Sequence, residues 1–595
     1  MTVDSPDPAP RADRPVPAPG ATPDEPGPVP DATGGSGDGA PADPGASGAR
    51  KAGLGRSSLA MSLGTAASRA SGLVRTMLLV ACVGSIGTVA DAFDIANKLP
   101  NMLFALISAG VLQSVLVPQI LKSMQAHNAR ERLDKLLTLS GLGLLSGTIV
   151  LVAAAPLVVT LLTLSEPAGA EARELAIVFA YWCLPQVFFY GLYTLLGQVL
   201  SAHGRFAAYG WAPVANNVVS LLGFGAFILL FGHAPADGIT DLSGWTTAQT
   251  LLLAGTATLG IAAQALLLIM PLRRAGFRWG FRLGLRGIGL RSAGKVVGWT
   301  LGAVALEQVG VVFLTNVLFA AGQSGGDDGA TAAGNFAYTN AMSIYLLPHS
   351  LVVVSIVTVL FPRMSAAVNS GDLPGVRRDM SLGLRSAGVF SVFSATALVV
   401  LAFPLTKALI PTASEVGVEA IAPILRAMAI GTIALGATVL VRRMYFAFED
   451  GRSVFVIQII ATVSLVAALW LATVALPVTA WAVAAGGAFA LSTWISLLLR
   501  VRGMSRKLQG MDGPRVLSLY GRAALAAAVA GGLGWLIVHL TDTTAGSSWL
   551  AAVLVTAAAG VVMGAAYLAM LKLLRVRELD DALAPILRRL GRGPA

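Results

Sequence analysis

Charged residues are scarce in this chain. Asp, Glu, Lys and Arg together make up 12% of its 595 residues, about half of the roughly 25% found in soluble proteins. Hydrophobic residues make up 55%, and the mean hydropathy is +0.73. Apolar runs of about 20 residues recur along most of the chain, each long enough to cross the ~30 Å hydrocarbon core of a bilayer. This composition excludes a soluble globular protein and indicates a polytopic membrane protein.

Cysteines and catalytic motifs are equally scarce. Cys82 and Cys183 both lie in apolar runs, so they predict neither a disulfide framework nor a zinc site. The sequence contains no Walker loop, no HExxH and no GxSxG motif, and the loops between apolar runs that we assign to the outside are short. We therefore predict no metal, no cofactor and no enzymatic activity. The missing Walker loop excludes an ATP-driven pump in this chain, so any energy used would come from an ion gradient or the membrane potential.

The first 50 residues differ from the rest of the chain. They contain 12 of its 30 prolines, eight acidic residues and three arginines. Such a segment buries too little apolar surface to offset the entropy of ordering it, and it lacks the basic start and apolar run of a signal peptide. We predict a disordered cytoplasmic tail over residues 1–55, with a docking or regulatory segment as the alternative.

Hydrophobic windows separated by loop residues predict an all-α protein with fourteen transmembrane spans. The spans lie at approximately 57–83, 89–122, 135–163, 173–201, 207–231, 247–272, 294–321, 332–362, 383–411, 417–447, 453–476, 479–500, 518–540 and 549–573. Odd-numbered gaps between spans are poor in Lys and Arg, whereas even-numbered gaps are basic. This alternation places both termini in the cytoplasm. The net charge of +11 is therefore an orientation signal, and no nucleic-acid partner is expected.

A faint internal repeat divides the spans. The segments SVLVPQI and TVLFPRM place Pro118 and Pro362 244 residues apart, and Gly204 and Gly451 are 247 apart. Both offsets predict that spans 1–6 are duplicated in parallel as spans 7–12, which is the plan of a secondary transporter with a midplane cavity. The predicted domains are the tail 1–55, an N-lobe at 56–285, a C-lobe at 286–505, two extra helices at 506–575 and a cytoplasmic tail at 576–595.

Span one carries two arginines, Arg69 and Arg75. If the helix enters near Arg56, Arg69 lies about 20 Å along its axis and Arg75 about 9 Å further. Six residues turn a helix through about 600°, so these side chains point about 120° apart. A charge at this depth needs a wet cavity or a partner, and a guanidinium suits a diphosphate. Arg69 is the better ligand candidate; Arg75 is a ligand or a brace paired with Asp91.

Span two begins with a polar face. Asp94 and Lys98 are four residues apart and Asp91 and Lys98 are seven apart, so the three share one side of the helix. The proline of the following segment NKLPN frees backbone carbonyls, which Asn97 and Asn101 would help to keep wet. The face is either a bend that carries a neutral ion pair or the wall of a polar cavity.

Two further polar residues lie deep in other spans. Glu307 is the acidic residue deep in span seven, and a buried carboxylate in a transporter often binds a proton or a cation. The alternative is a protonated glutamate that bonds a neighbour. Asn217, four residues after Pro213 in span five, either lines the cavity or ties helices together.

The segments SRASGLVRT, ADAF, NKLPN and VLVPQ resemble the opening helices of the MurJ (MviN) family. These are proposed lipid II flippases of peptidoglycan synthesis, within the multidrug/oligosaccharidyl-lipid/polysaccharide exporter superfamily. The resemblance extends over about residues 57–575. It implies two six-helix lobes, and two last helices lining a groove for the lipid tail. It also implies alternating access driven by membrane potential, Na⁺ or H⁺. The composition, poor in Lys and rich in Ala, Gly and Arg, is typical of an actinobacterial member.

The resemblance also implies roles for individual residues. Arg69 and Arg75 match two arginines implicated in headgroup binding or gating, and Asp91 resembles a gate partner for Arg75. Lys98 and Asn217 match a lysine and an asparagine of the family pattern. The implied activity is flipping of lipid II, an undecaprenyl-diphosphate-linked precursor, from the inner to the outer leaflet of the bacterial cytoplasmic membrane. The implied partners are lipid II, membrane lipids and, through the tail, cell-wall synthesis or division proteins.

The sequence departs from the family pattern at several positions. A basic pair and a glutamate expected in span two are replaced by Phe104, Ala105 and Ala109, and a cavity arginine of span eight is replaced by a segment offering Asn340 and Ser343. Glu307 does not align clearly with the acidic residue of sodium-using members. Two alternatives therefore stay open: a same-fold exporter of another lipid-linked polysaccharide precursor, and a non-transporting scaffold for wall synthesis.

Overall fold

The computed structural model describes residues 44–109, 129–164, 169–203, 205–284, 295–324 and 333–576. Throughout these ranges the chain is helical with short connecting loops, and the described residues contain no β-strand. This confirms the predicted all-α fold class. The chain divides into two units, Met1–Gly55 and Arg56–Ala595, and the following description concerns the second, apart from the first residues of α1.

Within the described ranges, ten α-helices belong to the predicted N-lobe, and a π-helical turn at Leu251–Gly255 joins two of them. They are α1 (Pro44–Val83), α2 (Thr88–Ile107), α3 (Ala129–Ala153), α4 (Ala155–Leu162), α5 (Ala170–Cys183), α6 (Gln186–Ala202), α7 (Phe206–Phe231), α8 (Thr247–Thr250), α9 (Thr256–Leu266) and α10 (Ile269–Arg274).

Within the same described ranges, nine α-helices and a 3₁₀ turn at Val478–Ala480 belong to the predicted C-lobe, and two more α-helices follow it. The C-lobe helices are α11 (Lys295–Gln323), α12 (Asn335–Pro348), α13 (Val354–Asn369), α14 (Leu373–Val400), α15 (Ala402–Leu409), α16 (Glu415–Ala429), α17 (Gly431–Ala447), α18 (Gly451–Ala475) and α19 (Trp481–Lys507). The last two are α20 (Gly513–Leu540) and α21 (Trp549–Leu573), and a π-helical turn at His349–Val353 joins α12 to α13.

The number of membrane spans is close to the prediction. Within the described ranges, 11 helical segments are long and apolar enough to cross a membrane, or 12 if α16 and α17, bent by 52°, count as one span. The other two predicted spans correspond to α2, whose continuation lies outside the described residues, and to α12 with α13, which the π turn interrupts. The protein is a multi-pass membrane protein, and the count of fourteen stays a prediction.

Helix interruptions recur at an almost constant interval, which supports the predicted duplication. Three N-lobe positions, each at a helix break or a proline inside a helix, have a C-lobe counterpart 246 to 248 residues later, close to the offsets found in the sequence. The pairs are Pro100 in α2 with Pro348 in α12, Ala154 before α4 with Leu401 before α15, and Leu184 after α5 with Ile430 after α16. Of the sequence pairs, Pro118 and Gly204 lie outside the described residues.

The buried apolar residues form a core shared by both lobes at one end of the molecule. One core contains residues of both lobes, among them Phe93 and Phe179 of the N-lobe and Phe319 and Tyr345 of the C-lobe. At the opposite end two separate cores occur, one around Leu136 to Ala212 in the N-lobe and one around Val353 to Met504 in the C-lobe. We call the first the closed end, which contains the loop 84–87 and the start of α12. The other is the split end, which contains the C-termini of α6 and α19.

The last two helices pack on each other and on α14. Their shared core contains small residues of α20, including Ala523 and Ala527, against Met563 and Tyr567 of α21. The Tyr567 hydroxyl donates to the carbonyl of Val389 at 2.7 Å, and Tyr520 makes the equivalent bond to Leu384 at 3.1 Å. Both helices are thus attached to the C-lobe alone among the described contacts.

Residues 44–55 belong to α1, although the sequence predicts disorder there. Pro44 is the first residue of this helix, a position where proline costs nothing because its missing N–H would be unpaired. No further proline follows in α1. The remaining parts of the predicted tails, residues 1–43 and 577–595, lie outside the described residues.

Candidate functional site

At the closed end, Asp91 of α2 inserts into the C-lobe. Its carboxylate is 1% exposed, and it accepts the backbone N–H of Phe336 at 2.8 Å. Two glycines make room for it, because a Cβ at Gly334 would lie 1.8 Å from Asp91 Oδ2 and one at Gly322 would lie 2.1 Å from it. The start of α12 therefore receives the carboxylate of the opposite lobe.

Asp94 makes a second contact between the lobes, one turn further along α2. Its Oδ2 atom accepts the Thr339 hydroxyl at 3.0 Å and pairs with Lys98 Nζ at 2.7 Å. The predicted i,i+4 pair is thus present, and its acidic member is also bound to the C-lobe. The ion pair of one reading is therefore present, and Lys98, whose side chain is 23% exposed, lines a cavity as the other reading expects.

Further hydrogen bonds join the lobes at the closed end, each from a side chain to a backbone carbonyl. Thr412 Oγ1 donates to the carbonyl of Met77 at 2.7 Å, and Ser414 Oγ donates to that of Ala236 at 2.7 Å. Asn316 Nδ2 donates to the carbonyl of Leu161 at 2.9 Å.

The structure does not form the expected ion pair between Arg75 and Asp91. Among the described residues, no ion pair within 4 Å joins them, and Asp91 is bound to the C-lobe backbone instead. Arg75 interacts electrostatically with Tyr190 of α6, whose hydroxyl also contacts Asn101. The correction has a geometric cause: Arg75 lies on the side of α1 that faces the interior of its own lobe.

Arg69 reaches the C-lobe, as its 120° rotation from Arg75 allows. Its Nη1 atom donates to the hydroxyl of Ser350, in the π turn between α12 and α13. The side chain is partly buried. Arg69 therefore lies between the lobes, bonded to a neutral acceptor.

The predicted asparagines lie inside the N-lobe. Asn217 donates to the carbonyl of Ser68 at 2.7 Å and to the hydroxyl of Ser71 at 2.8 Å, tying α7 to α1. Asn97 accepts a long bond of 3.4 Å from Gln186, and Asn101 contacts Tyr190. Of the two readings of Asn217, the structure supports the helix tie.

A cavity of about 420 Å³ lies within the C-lobe, and we call it the C-lobe cavity. Helices α11, α12, α17, α18 and α19 form it, and Lys98 is the N-lobe residue among those lining it. Its charged lining residues are Lys98, Glu307, Arg442 and Arg500. Hydroxyl groups of several serines and threonines complete a polar wall.

Two of these cations, Arg442 and Arg500, are not among the candidates that the sequence suggested. Arg442 and Arg443 are neighbours near the end of α17, yet Arg443 lies outside the cavity, over the Phe361 ring at 5.4 Å, whereas Arg442 lines the cavity. Successive helical residues diverge by about 100°, so a doublet cannot be assigned as one unit. Arg500 lies inside α19 and is 2% exposed.

Nothing among the described residues forms a metal site of three or more His, Cys, Asp or Glu side chains. Cys82 and Cys183 are both buried and unpaired with each other.

Comparisons with known proteins identify relatives over most of the chain. The family model for the lipid II flippase MurJ matches residues 81–556. A probable lipid II flippase MurJ of Rhizobium meliloti (strain 1021) is 26% identical over 476 residues, which is 78% of this chain and 83% of that protein. A lipid II flippase MurJ of Burkholderia cenocepacia is 28% identical over 360 residues, 60% of this chain and 65% of that protein.

Two solved structures share the fold. The lipid II flippase MurJ in an inward closed conformation aligns with a TM-score of 0.64 at 16% identity, over 86% of this chain and 98% of that one. An inward-facing multidrug resistance MATE family transporter of the MOP superfamily aligns with a TM-score of 0.58 at 15% identity, over 75% of this chain and 96% of that one.

Proposed function

Because the chain belongs to the lipid II flippase MurJ family, we propose that it moves lipid II from the inner to the outer leaflet of the bacterial cytoplasmic membrane by alternating access. The arrangement of the cores carries this proposal: both lobes share one core at the closed end and have separate cores at the split end. A transporter that loads its cargo through the split end and releases it after the lobes rock requires this asymmetry.

The charges of the loops support a cytoplasmic split end. Basic residues such as Arg205, Arg377 and Arg506 lie at this end, whereas the closed end carries acidic residues such as Asp237 and Glu415. Positive residues stay in the cytoplasm. Loading would therefore occur from the cytoplasm, with both termini on the same side.

Arg69 supports recognition of the diphosphate. Its guanidinium bonds the neutral hydroxyl of Ser350, and a diphosphate would compete well for it because hydrogen bonds between ionised partners are roughly twice as strong as neutral ones. Binding would then replace a bond between the lobes with a bond to the cargo. Arg75, Asn101 and Tyr190 would supply a polar wall deeper in the N-lobe.

The polyprenyl tail would stay in the lipid beside α20 and α21. These helices expose large apolar side chains to the membrane, including Leu525, Leu540, Leu554 and Val561, and they pack against the C-lobe through α14. A tail held outside the lobes need not cross the cavity with the headgroup.

Glu307 supports coupling to a proton or a cation. It lines the C-lobe cavity, and among the described residues it forms no ion pair within 4 Å. A carboxylate without a fixed partner at this depth can bind a proton or a sodium ion. Membrane potential is the alternative driving force.

Complementation tests the proposed function. Cells depleted of their own lipid II flippase would express this chain, and a probe acting from outside would report the lipid II exposed there. We expect exposure with the wild type, loss in Arg69→Ala, and no loss in Arg443→Ala, whose side chain contacts the Phe361 ring outside the cavity. Good membrane expression without exposure would refute lipid II as the cargo and favour another lipid-linked precursor. A fully active Arg69→Ala would refute the role of Arg69 alone.

A further inference from the structure

Two arginines of different helices share the C-lobe cavity with one acidic residue, Glu307. Arg442 of α17 and Arg500 of α19 both line it, and Arg500 is repelled electrostatically by Arg442 and attracted by Glu307. Lys98 is neutralised by Asp94 at 2.7 Å, and Glu307 contributes one negative charge but makes no ion pair within 4 Å of either arginine among the described residues. The lining therefore keeps an excess of one positive charge.

Arg500 is held in place but incompletely bonded. Its Nε atom donates to Ser496 Oγ at 3.0 Å, and the Tyr445 hydroxyl donates to its backbone carbonyl at 3.0 Å. The residue is 2% exposed, yet its Nη1 atom has no hydrogen-bond partner among the described residues. A buried charged donor without a partner is costly, so this atom is poised for an acceptor that the protein itself does not supply.

A free neutral donor lines the same space. The Thr438 hydroxyl is buried and lacks a partner among the described residues. The hydroxyls of Ser343, Ser492 and Thr493 also line the cavity, but they donate to the backbone carbonyls of Thr339, Ala461 and Phe489. Hydroxyl groups and guanidinium groups together are typical of sites that bind oxyanions. The volume of about 420 Å³ falls in the range of small-ligand pockets, roughly 300–1,000 Å³.

We propose that the C-lobe cavity is an oxyanion-binding site in which Arg442 and Arg500 hold a phosphate or carboxylate group of the cargo. The proposal rests on the proposed function and deepens it: Arg69 would bind the headgroup between the lobes, and the C-lobe cavity would bind a second anionic group of it. An anion between the two arginines relieves their repulsion and supplies the acceptor that Arg500 Nη1 lacks. The diphosphate and the carboxylates of the peptide are the two sources of this chemistry.

Direct binding to the purified full-length protein tests the site with two probes. Calorimetry would measure the affinity for inorganic pyrophosphate and for the dipeptide D-alanyl-D-alanine, which carries a free carboxylate. We expect Arg500→Gln and Arg442→Gln each to weaken binding of one probe by about tenfold or more, since each removes a charge-assisted hydrogen bond. The affected probe identifies the source as the diphosphate or as a peptide carboxylate.

Two further variants make the test specific. Glu307→Gln should strengthen anion binding severalfold, because it removes the one negative charge of the lining that has no ion-pair partner. Arg443→Gln is the matched control and should change nothing, since this neighbouring arginine lies outside the cavity. If neither probe binds, or if binding is equal in Arg442→Gln, Arg500→Gln and Arg443→Gln, the proposal is overturned.

The same experiment distinguishes a loss of anion binding from a loss of folding and from a loss of transport. Arg500→Lys keeps the buried charge, so it should fold as the wild type does while binding the probe more weakly than Arg500 does. A wild type that flips lipid II with unaltered flipping and binding in Arg442→Gln would overturn this site and leave the proposed function standing. A wild type that binds the probes but exposes no lipid II would overturn the proposed function alone.

Discussion

Gly334→Ala tests whether Asp91 holds the closed end together. Gly334 precedes α12 with φ of −107°, a backbone conformation that alanine also adopts, so the substitution brings no backbone strain. The added Cβ would lie 1.8 Å from Asp91 Oδ2 and 2.6 Å from Asp91 Cγ. The carboxylate must therefore leave its position between Gly322 and Gly334.

The size of the effect follows from the bond that is lost. Asp91 is 1% exposed and accepts the N–H of Phe336 at 2.8 Å, and a hydrogen bond to a charged group contributes about 1.5–3 kcal/mol. Displacing the carboxylate therefore weakens the contact between the lobes at the closed end by about 1.5–3 kcal/mol and leaves the contacts at the split end unchanged. We therefore expect the fraction of molecules open at this end to rise about 10- to 100-fold.

Alkylation of a buried thiol measures this fraction. Ser85 is 2% exposed and lies against Gly417 of the opposite lobe, where a Cβ would approach its Oγ atom to 2.5 Å. A cysteine introduced by Ser85→Cys would react with a membrane-impermeant reagent only when the lobes separate here. The reaction rate then tracks the open population. The native Cys82 and Cys183 are both fully buried and give a low background.

Gly487→Ala is the matched control, because nothing lies within 4 Å of its added Cβ. Equal alkylation rates in Gly334→Ala and Gly487→Ala would refute the role of Asp91 at the closed end. The double variant Asp91→Ala with Gly334→Ala should react no faster than Asp91→Ala alone, because both changes remove the same contact. Additive rates would show that alanine at 334 acts elsewhere.

Three further predictions concern single contacts. Asp91→Asn should keep the closed end closed in the Ser85→Cys alkylation assay, because an amide oxygen still accepts the Phe336 N–H. If the contact required an ion pair, Asp91→Asn would react as fast as Asp91→Ala. Asn217→Ala should lower stability by about 1 kcal/mol, measured by thermal melting, and Asn97→Ala, which loses one bond of 3.4 Å, should lower it less. Burial alone would raise the pKa of the Asp450 carboxyl, but its bonds with Lys507, at 2.5 Å, and with Ser453 outweigh burial and lower this pKa. Its contribution to stability is present above the ordinary pKa of about 3.9 and is lost as pH falls further, so Asp450→Asn should flatten the melting temperature measured between pH 6 and pH 3.

The fold could be predicted from the sequence because membrane burial leaves a strong signal. Apolar length, loop charge and the offset of about 247 residues all concern local or periodic features. The offset recurs in the structure as paired interruptions, for example Ala154 with Leu401. The start of α1 was predicted too late because the composition of the tail continues into the helix: residues 45–55 contain four glycines, which disfavour a helix.

The site could be predicted only in part, because sequence reveals which helix carries a charge but not which side chains meet. Arg69 and Arg75 contact different parts of the protein, as the rotation between them predicts. The predicted partner of Arg75 was wrong, because Asp91 bonds the backbone of the C-lobe. Arg500 escaped notice because its burial depends on α17 and α18, which pack around α19 from distant parts of the sequence. A signal existed: Arg500 lies four residues after Ser496, so their side chains share a face and can bond.

The polar contacts at the closed end are weak enough to be exchanged during transport. Five side chains bridge the lobes there: Asp91, Asp94, Asn316, Thr412 and Ser414. At about 1.5–3 kcal/mol for each of the two carboxylate bonds and about 0.5–1.5 kcal/mol for each of the other three, they contribute roughly 5–10 kcal/mol. Reversing a two-state equilibrium from 99:1 to 1:99 takes about 5.5 kcal/mol. Apolar surface exposed when this end opens would be offset by surface buried as the split end closes. The balance is then decided by polar groups, and bonds from Arg69, Arg442 and Arg500 to an anionic headgroup are of the right size to reverse it.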